Sequence, residues 1–268
     1  MSQGIPIHPV NGGINTNMVI DDKIMTIDSG WLNAIMSDKI DGHTYKKIRG
    51  HCHSVGTADQ ELSALGTAGF GNWPSAGGVV SLVSTDAADD GDPGGDGAWT
   101  VIVRGLAKTT WNLQEEIVTM NGLGAVTTTN EFIRINEIEL VTAGILLTNK
   151  GDIIASIGGT DIIKIYANHS TSDAGRYTVP AGHSAHFQNP NGSVIGNKEM
   201  TYHIFCRDNT IANSPFLLRD SWHSKDGGFR PNGLLDMFTE KVDIVIVVHA
   251  ELAGAKSSAS FEGWIEEN

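Results

Sequence analysis

The sequence predicts an all-β protein: a jelly-roll-like antiparallel β-sandwich preceded by an arm with one or two short helices. Three observations lead there. From about residue 76 onward apolar side chains recur with a period of two, the repeat of a half-buried strand. No amphipathic helix of ten or so residues separates these runs, and without crossover helices neighbouring strands pair mainly antiparallel. The chain carries 32 glycines among 268 residues, interspersed with Thr, Asn, Asp and Ser, the residues of turns that join short strands.

The first 75 residues read as an arm or small subdomain, and residues 76–268 as the sandwich. Within the arm, Asn11-Gly12-Gly13 and Asp41-Gly42 are turn signals. Asp28 to Ile40 is a helix candidate, with Ser29 as cap and Trp31, Ile35 and Ile40 near one face. Ala58 to Leu65 is a second, ending at Gly66. The arm also holds the basic cluster Lys46, Lys47 and Arg49, bracketed by His43, His51 and His53.

Beyond residue 76 the strand candidates are 78–84, 99–107, 111–120, 131–141, 152–157, 161–167, 176–179, 184–188, 199–207, 214–220, 234–238, 241–252 and 258–266. In 131–141 the apolar phase flips from Ile133 and Ile135 to Ile138 and Leu140, which predicts a β-bulge near Asn136-Glu137. Val242, Ile244, Ile246 and Val248 share one face while Val245 and Val247 occupy the other, so that strand should lie centrally, buried on both sides.

Composition narrows function. Eighteen basic against 31 acidic residues, a formal charge of −13, do not suit a nucleic-acid surface. No apolar run approaches the roughly 18 residues of a membrane helix. The N-terminus lacks the basic and apolar segments of a secretory leader. Two cysteines, Cys52 and Cys206, make no disulfide framework.

Motifs of chemistry are sparse. The acidic loop 86–97 offers calcium-ligand residue types without the spacing of a calcium-binding loop, and reads as a solvated turn. His51 and His53, two apart on a strand, would face one side and could share a metal, as could His183 and His186; no paired cysteines complete either set, so no metal or other cofactor is assigned. There is no G-x-S-x-G elbow and no phosphate loop. Glu115/Glu116 and Glu137/Glu139 are carboxylate pairs without a defined separation, and no catalytic residue is assigned. Trp99, Trp111, Trp222, Trp264, Tyr166 and Phe187 suit sugar stacking or, more commonly, cores and interfaces.

The run Val79–Asp90, a Gly-rich turn, Trp99–Leu106, Trp111–Gly122, Phe132–Asn136 and Val141–Gly144 resembles virion structural proteins of tailed bacteriophages of marine and cyanobacterial hosts. Asn149-Lys-Gly-Asp-Ile153, Tyr177-Thr-Val-Pro-Ala-Gly182 and the closing Phe261-Glu-Gly-Trp-Ile265 are similar to further segments of that group. The resemblance covers about two-thirds of the chain and leaves residues 1–75 aside. It implies a non-enzymatic capsid decoration or cement protein, made in the host bacterial cytoplasm. In the virion it would sit on the head surface as a homotrimer bound to the major capsid protein or another virion protein. The alternative is a tail- or fibre-associated structural or adaptor module, with glycans as its candidate ligands. In the head-surface reading Lys46, Lys47 and Arg49 are the arm's contact residues, and deleting residues 1–60 should leave a soluble sandwich that no longer coats shells.

Overall fold

A computed structural model describes residues 17–20, 23–26, 34–37, 39–70, 73–91, 94–229 and 234–268. Among these the chain is almost entirely antiparallel β-structure. The expected turn at residues 11–13 and the expected helix start with Ser29 and Trp31 lie outside the described residues; 34–36 of that stretch are helical. No helix among the described residues is long and apolar enough to cross a membrane.

A hairpin pairs β1 (Asn17–Ile20) with β2 (Lys23–Thr26). The next strands are β3 (His43–Val55) and the short β4 (Gln60–Glu61). There follow β5 (Gly78–Ser84), β6 (Ala98–Ala107), β7 (Leu113–Thr119), β8 (Val126–Ala143), β9 (Ile153–Ile157) and β10 (Thr160–Ile165). These six form one sheet in the order β10-β9-β5-β8-β6-β7. The last strands are β11 (Arg176–Thr178), β12 (His183–Asp208), β13 (Leu217–Phe229), β14 (Leu234–Phe238), β15 (Val242–Ala250) and β16 (Ala255–Glu267). With β3 and β4 they form the second sheet, whose main path is β11-β15-β12-β16-β3.

In each sheet one long strand carries partners along its whole length. The first part of β8 pairs with β5 and its remainder with β6. The register slips where Arg104 faces Glu137 and Gly105 faces Ile135, so Asn136 is the extra residue, at the position the phase flip predicts. In β12, His183–Ile195 pair with β16 and Met200–Asp208 with β15, while β14 and β13 lie along its other pairing positions. The sequence reading places two separate strands, 184–188 and 199–207, within the span of β12. The sheet instead carries the strand through, with register slips between Gln188 and Asn191 and between Val194 and Glu199.

Each sheet has its own apolar cluster. Val80, Leu82, Val101, Val103, Ile135, Ile138, Ile153 and Ile163 lead the first, and Leu62, Phe187, Tyr202, Ile204, Ile244, Ile246, Val248 and Phe261 the second. At about 1.5–3 kcal/mol for each large side chain fully buried, these are the main cohesive terms of the two sheets. Every residue of β15 except His249 is buried, as its two-sided apolar pattern predicts.

The first 75 residues differ from an extended arm. Eleven residue pairs join β3 to β16, and Ile48, Cys52 and Val55 enter the second core. The expected helix at 58–65 is instead β4 and a turn. Glu61 and Gln60 pair with Val247 and Val248, and the Leu62 amide donates to the Ile246 carbonyl at 2.9 Å. A free edge on β15 satisfies that backbone better than one isolated helical turn would. The six-stranded sheet is therefore an uninterrupted piece, 78–165, set between the two halves of the other.

Candidate interaction surfaces

Lys46, Lys47 and Arg49 lie on β3, and strand alternation divides them. Lys46 shares a face with buried Ile48, its Nζ 6.0 Å from the centre of the Tyr177 ring. Lys47 and Arg49 point to the other, exposed face. Arg49 Nε is 3.3 Å from Asp173 Oδ1. All three line a cleft of about 70 Å³ together with Arg104, Asn136 and Asp173. That holds about two waters, far short of a small-molecule pocket. Because β3 is bonded along its length to β16, deleting residues 1–60 removes a core strand, and the truncation expected to spare the sandwich would not do so.

The two sheets are joined by buried charge. Asp243 of β15, fully buried, accepts from Arg134 Nε (2.9 Å) and Nη2 (3.1 Å) of β8, from Arg207 Nη2 (2.5 Å) and from the Thr178 hydroxyl (2.8 Å). Burial pushes this carboxyl up, but Arg134, then Asn209 and Arg207, outweigh it and hold Asp243 below the usual carboxylate range. Beside it, buried Glu61 pairs with Arg176 and accepts the Trp73 indole N–H at 2.9 Å. Burial raises Glu61 above the ordinary range, against the pull of Arg176. Trp73 lies within cation–π reach of Arg134, Arg176 and Arg207, at 5.5, 4.6 and 5.6 Å.

The acidic loop is an anchor, and its key carboxylate is buried where the sequence suggests a solvated turn. Asp89 accepts from the amides of Ala98, Lys150 and Gly151, each at 2.8 Å, and from the Ser84 hydroxyl at 2.5 Å. Four donors occupy the oxygens a cation would need. The carboxylate pair Glu137/Glu139 is likewise engaged, both by Arg104, at 3.4 and 2.6 Å. Nothing in this arrangement resembles an acid paired with a base at a cleft.

His51 and His53 do share a face of β3, and the fold brings His169 and Tyr166 to them. His53 stacks on Tyr166 at 3.9 Å, and His51 meets His53 and His169 edge-on at 4.8 and 5.8 Å. These rings pack on one another rather than converging on a point. His186 stacks on Trp264 and contacts Glu266 Oε1 at 2.9 Å, while Glu266 Oε2 is 3.0 Å from His43. Of the aromatics considered for sugar stacking, Trp222 and Phe187 are core, Trp264 and Tyr166 carry histidines, and Arg134 covers Trp111. Trp99 is exposed, with its N–H donated to the Gly95 carbonyl at 2.6 Å.

Among the described residues the most exposed apolar feature lies just past β8. Ile145 and Leu147 are 82% and 83% exposed, at the tip of a turn closed by the Leu147 amide on the Gly144 carbonyl at 3.0 Å. Gly144 and Leu146 donate to the carbonyls of Gly97 and Asp96, at 2.7 and 3.0 Å, so the turn is clamped to the Asp89 loop. Leu147 sits at φ 56°, a conformation that costs a non-glycine residue about 1 kcal/mol or more. On the same sheet β7 ends the strand order and exposes Leu113 and Ile117. In the sequence this knob is marked only by three consecutive apolar residues after Gly144, a weak signal because exposed apolar residues are ordinary on protein surfaces.

No protein-family model matches the chain, and no curated protein matches it in sequence.

Proposed function

We propose that this chain is a non-enzymatic structural subunit of a tailed-phage virion, a decoration or cement protein that docks on the head as a homotrimer. The observation that carries the reading is the clamped apolar knob Ile145–Leu147, on the same sheet as the exposed edge strand β7. A hydrophobic projection already held in one conformation loses little entropy on docking, which favours assembly contacts over solvent exposure. Edge strands with exposed apolar side chains are prone to pair with another copy. Repetition over a symmetric shell lets each such contact be modest. Lys47 and Arg49 add an exposed basic stripe that suits an acidic neighbour.

Sedimentation of the purified chain tests the assembly half of the proposal. A concentration-dependent trimer, broken by Ile145→Ser with Leu147→Ser or by Ile117→Glu, is the expected result. A monomer at all concentrations would remove the homotrimer. Antibody labelling of whole virions tests location: label over the head is expected, and absence of the chain from particles would end the reading. The second reading, a tail or fibre adaptor that binds glycans, is favoured by the exposed indole of Trp99. Label at the tail, together with glycan binding lost in Trp99→Ala, would select it.

A further inference from the structure

Outside these surfaces, three side chains that the sequence does not associate converge on the second sheet. Residue pairs across β12 and β15 set Thr201 opposite His249 and His203 opposite Val247, so His203 and His249 are diagonal neighbours on one face. Pairing of Gln60 with Val248 brings the preceding residue, Asp59, level with His249. The Asp59 carbonyl accepts the Gly69 amide at 2.7 Å, and the Ala250 amide donates to Gly56 at 2.9 Å, so both ends of this turn are fixed. Asp59 Oδ1 lies 2.7 Å from His249 Nδ1. The imidazole centroids of His203 and His249 are 5.7 Å apart.

One ligand atom from each of Asp59, His203 and His249 lies within 4.8 Å of the other two, the one such group of His, Cys, Asp or Glu found among the described residues. An ion pair between Asp59 and His249 accounts for two of the three. It leaves His203, whose Nδ1 is buried with no hydrogen-bond partner. We infer that Asp59, His203 and His249 form a binding site for a divalent transition cation of the zinc type. Two imidazoles and one carboxylate are the donor set such borderline cations prefer, whereas calcium and magnesium favour all-oxygen shells. A small closing movement brings donors 4.8 Å apart or less to the about 2.0–2.2 Å bond lengths of zinc. Three protein ligands leave a coordination position for water or for a donor from a neighbouring molecule.

The test uses cobalt(II), whose visible bands report coordination, titrated into the full-length chain. One equivalent per chain with nitrogen–oxygen ligand bands, displaced by zinc(II), is expected. His249→Ala and Asp59→Asn change partly exposed or exposed side chains and should fold normally by circular dichroism. Each should weaken binding at least tenfold, as should His203→Gln. The double variant His51→Ala with His53→Ala should bind as the parent does, which separates this site from the other histidine cluster. Zinc should also raise the melting temperature of the parent and not that of His249→Ala. Parent protein without cobalt bands at millimolar metal, or unchanged binding in His249→Ala and Asp59→Asn, overturns the inference.

Discussion

Asn136 and Thr178 join the two sheets by a reciprocal pair of hydrogen bonds. The Asn136 Nδ2 donates to the Thr178 carbonyl at 3.1 Å, and the Thr178 amide donates to Asn136 Oδ1 at 2.9 Å. Asn136 is the bulged residue of β8, so the slip that keeps the flanking apolar residues in phase also turns an amide side chain toward β11. A strand defect in one sheet thereby serves as an edge bond for the other.

Asn136→Ala should therefore cost about 1–3 kcal/mol in urea unfolding, since it leaves a backbone donor and acceptor unpaired. Gly105→Ala should destabilise through a different cause at the same bulge. A Cβ there would lie 2.0 Å from the Arg134 carbonyl oxygen, and the strands must part to admit it. An unfolding midpoint equal to the parent's in both variants would remove the bulge from its joining role.

The Arg134–Asp243–Arg207 group should be the most sensitive polar site in the protein. Asp243→Asn leaves buried guanidinium charge without a counter-charge and should cost about 3–5 kcal/mol. Because the folded state holds this carboxyl below its ordinary value of 3.8, its contribution is complete above that pH. It is lost as pH falls further, through the lowered folded value. Acid unfolding followed by tryptophan fluorescence should show that loss in the parent and a flatter response below pH 4 or so in Asp243→Asn.

Asp89→Asn replaces a carboxylate oxygen with an NH₂ group that faces donors, and should cost about 3 kcal/mol. The effect should reach the knob, since Asp89 and the 144–147 turn share the 95–98 backbone. Hydrogen exchange should speed up at the amides of Gly144 and Leu146 in this variant. Exchange there unchanged from the parent would show that the knob is held independently of the loop.

The histidine group on β3 should make stability fall in mild acid. Burial, followed by the charges of His53 and His169, pushes His51 below 6.5, and burial and His169 do the same for His53. A histidine whose folded value is lowered stabilises the fold only while neutral. Its contribution is therefore present above 6.5 and lost as pH drops through the lowered values. With His53 largely exposed, the loss should stay below about 1 kcal/mol. His169→Ala should flatten the melting temperature between about pH 7 and 5; an unaltered slope would dissociate these rings from the pH response.

Much of the architecture was legible from residue types alone. The two-residue period marked the strands from β5 to β16, and the phase flip in β8 put its bulge near Asn136-Glu137, where Asn136 is the extra residue. The doubly apolar pattern of β15 marked it as an interior strand buried on both faces. These are local signals, because the face a side chain occupies follows from the strand repeat. The same locality explains the failures. β3 carries Lys46, Lys47, Arg49 and three histidines and looks like a polar arm, until β16 supplies eleven partners for its backbone. The stretch 58–65 favours a helix by composition, but an open edge on β15 claims it.

The side-chain groupings were almost entirely a tertiary matter. Asp59, His203 and His249 are far apart in sequence and meet only through the pairing register of β4, β15 and β12. Asp243 finds Arg134 109 residues away, across two sheets that each close their own core. Residue spacing along a chain encodes which face a side chain takes, since that depends on backbone geometry within a few residues. Which faces then meet depends on strand order and register, set by the packing of whole sheets, and no short motif carries that information.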